Sequence, residues 1–282
     1  MISDNMNQQE ILEQQRKLWD QAAPGWKKWD GFTMEFLNPI GEKILDAALL
    51  KDGYYVLDVA TGTGSPGLNA AKRIPKGKVI GIDLSEEMVN LANEKARKLG
   101  IKNYEARIYN AGDLPFDDNS FDAVVCRFGI MFFPDMLSGL KELVRVLKPG
   151  KRVSLSVWNV PEKNPWTAVR ETIHEMLDLP LPPVDAPGMF RCSKPGTLTS
   201  LFNEAGLKDV KEIEVTGKIN FDSAEQYWNF TTEVAAPITM ALAKADEATR
   251  ERVKQTTINA IKAEANEKIS FDWSAWVAWG VK

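Results

Sequence analysis

Short apolar runs alternate with amphipathic segments through the middle of the chain. The apolar runs predict strands at 54–59, 78–82, 104–109, 121–127 and 151–157. The segments between them predict helices at 66–74, 86–99 and 135–147. Strands that alternate with helices are typical of a parallel sheet covered by helices on both faces, so the pattern predicts an α/β fold.

The flanks of this central region predict mainly helices. The N-terminal side predicts helices at 8–22 and 38–50, the second ended by Gly53, and the C-terminal side predicts helices near 165–178, 195–206 and 223–266 and strands at 208–216 and 268–281. We therefore expect six segments: an N-terminal helical arm (1–50), a cofactor-binding core (51–158), a proline-rich insertion or lid (159–192), the end of the core (193–220), a helical lid (221–267) and a final strand (268–282).

The first predicted strand runs into a glycine-rich loop. Gly62, Gly64 and Gly67 have the G-x-G-x-x-G spacing, and the next predicted strand ends in Asp83, placed to accept hydrogen bonds from ribose hydroxyls. Together these features predict an adenosine site. Asp58, four residues before Gly62, would repel a pyrophosphate but suits a cationic amine, which favours S-adenosylmethionine. The glycine spacing alone leaves an NAD-dependent oxidoreductase as the alternative.

Composition narrows the class of protein. The chain has 282 residues, 44% of them hydrophobic, and a net charge of -4, which argues against a nucleic-acid partner. It has no leader-like start and no apolar run long enough to span a membrane, so we expect a cytoplasmic protein. Its two cysteines form no C-x-x-C motif and its only histidine is His174, so we expect no metal site.

The tryptophans are unevenly distributed. All nine lie outside residues 56–149, which predicts a tryptophan-free cofactor half overlaid by an aromatic substrate half. The candidate substrate-binding residues are the aromatic side chains Trp26, Trp29, Phe132 and Trp166. The alternative is that the aromatic residues of the N-terminal arm only pack against the core.

Four segments, taken in order, resemble the class I S-adenosylmethionine-dependent methyltransferases, in particular the small-molecule branch that includes ubiquinone and menaquinone methyltransferases. These are Val56–Gly64, Gly81–Ser85, Leu114–Asp122 and Leu143–Gly150. The resemblance implies a Rossmann-like, seven-stranded, mostly parallel sheet with an antiparallel last strand and helical lid insertions. It also implies S-adenosylmethionine as the cofactor and a small-molecule acceptor, and it indicates no particular oligomeric state.

The resemblance also assigns cofactor-binding residues by position. It implies that the methionine end is held by Asp58, Ala60, Thr61, Gly62 and Gly64 and is contacted through the backbone by Arg127 and Phe128, which pack near the methyl group. It assigns the ribose to Asp83, and the adenine to Leu84, Met88, Asn110 and Ala111. Ala60 replaces the usual first glycine, and Asn110 replaces the usual acid. The segment 128–135 is apolar where quinone methyltransferases carry polar residues, which favours an apolar pocket wall.

Methyl transfer from a sulfonium is an in-line displacement that depends mainly on alignment and the exclusion of water. A general base is optional. His174 is the candidate base because its side chain has an ordinary pKa near neutrality, although a solvent-facing position on an amphipathic helix is the alternative. A non-catalytic protein that binds S-adenosylmethionine is a third hypothesis, beside the methyltransferase and the oxidoreductase.

Overall fold

A single seven-stranded sheet forms the centre of the computed structural model, which describes residues 7–167, 169–178, 186–264 and 269–282. Its strands are β1 (Tyr55–Val59), β2 (Lys78–Asp83), β3 (Tyr104–Ile108), β4 (Phe121–Arg127), β5 (Leu147–Trp158), β6 (Lys208–Phe221) and β7 (Ile269–Val281). The strand order is β3-β2-β1-β4-β5-β7-β6. Strands β1 to β5 pair in parallel, and β7 is antiparallel to both of its neighbours, which confirms the predicted fold.

Helices cover the sheet and form the flanking segments. Within the described residues they are α1 (Gln8–Lys28), α2 (Asp30–Ala47), α3 (Gly67–Arg73), α4 (Glu86–Lys98), α5 (Met136–Val146), α6 (Val169–Met176), α7 (Thr197–Glu204), α8 (Ala224–Val234), α9 (Ala236–Lys244) and α10 (Glu247–Glu264). Because helices shield the central strands, their side chains are apolar at consecutive positions, as Val56 and Leu57 show with no exposed surface. None of the described helices has the length and apolar character needed to cross a bilayer.

The N-terminal arm differs from its predicted boundaries. We expected helices at 8–22 and 38–50, but α1 continues through Pro24 and α2 begins at Asp30. Gly25 allows α1 to approach α8, because a Cβ at this position would lie 1.8 Å from the carbonyl oxygen of Glu233. The predicted stop at Gly53 is wrong. The last turn of α2 is closed earlier by Leu49, which adopts a left-handed conformation with φ +51° and donates its N–H to the carbonyl of Asp46.

The second half of the chain also departs from the predicted bounds. β5 begins at Leu147, where pairing with Phe121 extends the strand ahead of the predicted residue 151, and β6 continues to Phe221 through pairing with β7. The continuous helix predicted at 223–266 is divided into α8, α9 and α10. Ala235, with an extended ψ of 90°, ends α8, and the side chain of Asp246 caps α10 by accepting from the N–H of Thr249. The parts of our predictions at 168, 179–185 and 265–268 lie outside the described residues.

The topology places a crevice between the carboxyl ends of β1 and β4. The chain leaves β1 toward β2 and β3 on one side and returns to β4 on the other, so the connections diverge at this point. Open α/β sheets bind ligands at such a switch point. The register pairs Asp58 with Val125 and Val59 with Cys126, and therefore brings the glycine loop alongside the segment that follows β4.

Candidate functional site

The loop after β1 is shaped by residues with positive φ. Ala60, Gly62 and Gly64 have φ of 52°, 53° and 99°, and α3 begins at Gly67. Ala60 thus adopts the conformation that favours glycine even though it carries a Cβ. Gly67 is needed for a different reason, because a Cβ there would lie 2.5 Å from Asp58 Oδ2. The predicted glycine loop is therefore present, and it closes around Asp58.

Asp58 is a fully buried carboxylate, and only one of its two oxygens accepts hydrogen bonds from the described residues. Its Oδ2 accepts from Thr61 Oγ1 at 2.5 Å and from the N–H of Gly67 at 2.9 Å. Its Oδ1 is buried and has no hydrogen-bond partner among the described residues. Burial raises the pKa of Asp58 to about 6, although these two donors and the charge of Arg127 lower it. An ammonium group would supply the missing donor and favour the ionised form, so the site fits the amine of S-adenosylmethionine.

Asp83 lies at the end of β2 and joins the two loops of the crevice. Its Oδ2 accepts from the N–H of Gly62 at 2.9 Å, and its Oδ1 accepts from the N–H of Ser85 at 3.0 Å. Burial raises the pKa of Asp83, although the hydrogen bonds from these two donors act to lower it. Each carboxylate oxygen keeps a further lone pair that can accept from a ribose hydroxyl. Beside it, Leu84 is half-buried and Met88 is buried, with the N–H of Met88 donating to Ser85 Oγ at the start of α4.

Three residues that we did not predict complete the surroundings of these carboxylates. The hydroxyl of Tyr104 lies 2.8 Å from Thr61 Oγ1, and Ser85 Oγ donates to Asp20 at 2.7 Å. Asp30 accepts from Thr63 Oγ1 at 3.0 Å and pairs with Lys95 at 2.7 Å. Asp20 and Asp30 belong to the N-terminal arm, which therefore contacts both cofactor loops. No local motif signals these contacts, because the hydrogen-bonded residues are 33 to 65 positions apart in the chain.

The remaining predicted cofactor residues lie at the ends of β3 and β4. Asn110 Oδ1 accepts from the N–H of Gly112 at 3.0 Å, so the amide oxygen we expected to face adenine already has one donor, and Ala111 beside it is half-buried. Phe128 adopts a φ of 59° and stacks on Trp158, with ring centroids 4.2 Å apart and planes at 9°. The guanidinium of Arg127 lies 3.8 Å from Met34 Sδ, and burial lowers its pKa to about 10.

The predicted substrate residues belong to two groups of aromatic side chains. In the first, Trp166 contacts Trp158 at 5.3 Å and Phe36 at 6.4 Å, and Phe36 contacts Phe230, which in turn meets Trp29. In the second, the ring of Trp19 contacts those of Phe132 at 5.2 Å and Trp26 at 6.3 Å. These contacts join α1, α2, α8 and the insertion to the segment after β4.

His174 lies on α6, which packs against α9 and α10. The side chain is half-buried. His174 therefore belongs to a group of packed helices outside the sheet. Its role as a general base stays a prediction.

Comparisons with known proteins agree with this geometry. Residues 50–206 match a family model described as a methyltransferase domain. The chain is 33% identical over 210 residues to the demethylmenaquinone methyltransferase of Bacillus subtilis (strain 168), an alignment that covers 68% of this chain and 83% of the relative. Neither match supports the oxidoreductase alternative.

Solved structures share the fold. The YcgJ protein of Bacillus subtilis is similar with a TM-score of 0.58 at 22% identity, over 86% of this chain and 97% of the other. A phosphoethanolamine N-methyltransferase 2 of Haemonchus contortus, solved in complex with S-adenosyl-L-methionine, has a TM-score of 0.52 at 18% identity, over 86% of this chain and 52% of the other. With its glycine loop, its two strand-end carboxylates and these matches, the chain belongs to the class I S-adenosylmethionine-dependent methyltransferases.

Proposed function

We propose that this enzyme transfers the methyl group of S-adenosylmethionine to a small apolar or aromatic acceptor. The observation that supports the acceptor class most strongly is that aromatic rings of the arm and of the end of β5 meet the segment after β4. Phe128 and Phe132 on that segment contact Trp158 and Trp19, respectively. Aromatic walls of this kind suit a flat, hydrophobic acceptor.

The cofactor residues follow from the carboxylates of the crevice. Asp58 would accept from the ammonium group through its unpartnered Oδ1, and Asp83 would accept from the ribose hydroxyls through its remaining lone pairs. The adenine would lie near the loops after β2 and β3, next to Leu84, Met88, Asn110 and Ala111. The loop residues Ala60, Thr61, Gly62 and Gly64 would follow the methionine chain.

When bound, S-adenosylmethionine supplies an activated methyl group, so the protein's task is to align the acceptor and exclude water. Residues 7–50 and 159–178 of the arm and insertion are suited to that task, since they carry most of the aromatic rings described above. We propose that the arm and both predicted lids close over the crevice. The hydrogen bond from Trp29 Nε1 to Glu233, at 2.7 Å, supports this by joining the arm to α8.

Trp26 narrows the chemistry of the acceptor. Its Nε1 is buried and has no hydrogen-bond partner within the described ranges, and a buried N–H is costly to leave unpaired. We infer that it donates to an oxygen of the acceptor, which favours a phenol, enol or carbonyl compound. The relative from Bacillus subtilis is named as a demethylmenaquinone methyltransferase, and a naphthoquinol is one acceptor with this chemistry. The apolar segment 128–134 favours acceptors without further polar groups.

Two further parts of the proposal concern His174 and the location of the enzyme. If the acceptor is a hydroxyl, we propose His174 as the base that removes its proton, which His174→Gln would test through loss of the acidic limb of the pH–rate profile. We propose the cytoplasm as its location, supported by the free, buried thiols of Cys126 and Cys192, since such thiols are typical of reducing compartments.

Calorimetry with S-adenosylmethionine, S-adenosylhomocysteine and NADH tests the cofactor, and methyl transfer to a panel of naphthoquinols, phenols and polar amines tests the acceptor. We expect binding of the first two ligands only, and turnover of the aromatic acceptors. Trp26→Phe should raise the acceptor KM, whereas Trp279→Phe, which changes a ring on β7 outside both aromatic groups and without a buried unpaired N–H, should not. Turnover of the polar amines alone would contradict the proposed acceptor class.

A further inference from the structure

Arg127 carries a positive charge beside the glycine loop without an opposing carboxylate in contact. Within the described ranges, no Asp or Glu oxygen forms an ion pair with it at 4.0 Å or less, and both of its terminal nitrogens face Met34 Sδ at 3.8 Å. A thioether is only a weak acceptor. A Cβ at Gly41 would lie 3.7 Å from one of these nitrogens, so the guanidinium of the half-buried Arg127 lies against α2.

Arg127 and Asp58 face the same crevice. The parallel register pairs Asp58 with Val125, and therefore sets Arg127 level with Ala60, on the same face of the sheet as the Asp58 side chain. Each of the two charges acts on the pKa of the other. Among the described residues, Asp58 Oδ1 has no donor, and the guanidinium of Arg127 has only the weak acceptor Met34 Sδ. The crevice thus holds a buried carboxylate oxygen without a donor and, on the same face of the sheet, a guanidinium whose protein partner is a weak acceptor.

We propose that Arg127 and Asp58 together bind the amino-acid end of S-adenosylmethionine, with the guanidinium on the carboxylate and Asp58 Oδ1 accepting from the ammonium. This rests on the proposed function and adds a role for the Arg127 side chain, beyond the backbone contact that the family resemblance implies. An α-amino acid carries its two charges on one carbon, so it matches a cation and an anion that flank one loop. Arg127 contacts Met34 and lies near Gly41 on α2.

Calorimetry with two ligands on four proteins tests this assignment. The ligands are S-adenosylmethionine and its decarboxylated form, which keeps the amine and the sulfonium but lacks the carboxylate. The proteins are the wild type, Arg127→Met, Arg127→Lys and Arg97→Met, where the last is a control of equal charge change at an exposed position on α4. Thermal melts of each protein without ligand show whether the variants remain folded.

We expect the wild type and Arg97→Met to prefer S-adenosylmethionine to the decarboxylated form by about 10- to 100-fold, as for a hydrogen bond between charged groups. Arg127→Met should lose that preference, because it should bind S-adenosylmethionine more weakly and the decarboxylated form as well as the wild type does. Arg127→Lys should recover part of it, because lysine keeps the charge but not the paired donors.

Other results would overturn the assignment. Equal affinity of the wild type for both ligands would show that the carboxylate is not recognised, even if neither Arg127 variant folds. An equal loss for both ligands in Arg127→Met would mean a structural role, and an unchanged preference with a raised acceptor KM would place Arg127 on the acceptor. A wild type that binds neither ligand would refute the cofactor, and with it the proposed function.

Discussion

Replacing Asp58 by Asn should make the ligand-free protein more stable and the cofactor bind more weakly. Burial raises the pKa of Asp58 from 3.8 to about 6, so the folded state holds its proton more tightly than the unfolded chain does. The wild type therefore loses stability as the pH rises through this window, by about 3 kcal/mol above pH 6. The amide oxygen of Asn can accept from Thr61 and Gly67, but its NH₂ group stays unpaired, which costs about 1–2 kcal/mol.

Asp58→Asn should therefore raise the free energy of unfolding of the ligand-free protein by about 1–2 kcal/mol at pH 7.5, or its Tm by about 2–6 °C. Urea unfolding of ligand-free wild type and variant at pH 4.5, 6.0 and 7.5 measures it, and the difference should shrink toward pH 4.5. Calorimetry at pH 7.5 should show about 10- to 100-fold weaker binding of S-adenosylmethionine, because the charged acceptor is lost. A stability difference that does not change with pH would refute the raised pKa, and unchanged affinity would refute contact with the ammonium.

Three further changes test other parts of the site. Gly67→Ala should destabilise the protein by about 1–3 kcal/mol in urea unfolding, because its Cβ would lie 2.5 Å from the Asp58 carboxylate. Gly31→Ala is the control: no atom lies within 4 Å of its Cβ, so this change should be neutral or stabilising. Asp83→Ala should weaken S-adenosylmethionine binding by about 1–3 kcal/mol in calorimetry, and unchanged affinity would exclude ribose contact. Trp29→Phe removes the hydrogen-bond donor to Glu233 and should raise the acceptor KM while leaving the affinity for S-adenosylmethionine unchanged. Weaker binding of S-adenosylmethionine by this variant would contradict this.

The core of the fold could be predicted because its signals are local. Strands β1, β2 and β4 are buried on both faces, so they read as continuous apolar runs, and β1 and β4 fall within one residue of their predicted bounds. The glycine loop is equally local, because positive φ and a close approach to Asp58 both require small residues within a few positions. Family membership follows from the same segments, which lie within the part of the chain that the family model matches.

The N-terminal arm was harder to predict because its structure depends on distant partners. Pro24 and Gly25 look like a helix end, yet α1 continues through them since Gly25 packs against the backbone of α8. The break of the C-terminal helical region at Ala235 has instead a local signal that our prediction did not use, because Pro237 lies in the first turn of α9. Asp20 and Asp30 look like ordinary helix acids in the sequence, and only the fold brings them to Ser85 and Thr63.

The site also explains why a methyltransferase of this kind tolerates costly groups at its centre. A carboxylate with a free oxygen and a guanidinium facing a thioether both disfavour the ligand-free state. The same two groups are complementary to a ligand that carries one ammonium and one carboxylate. The free energy that the ligand-free protein loses by burying them without partners is therefore regained when the ligand binds. Stability and affinity should therefore move in opposite directions at Asp58, whereas at Gly67, which only makes room for the carboxylate, they should fall together.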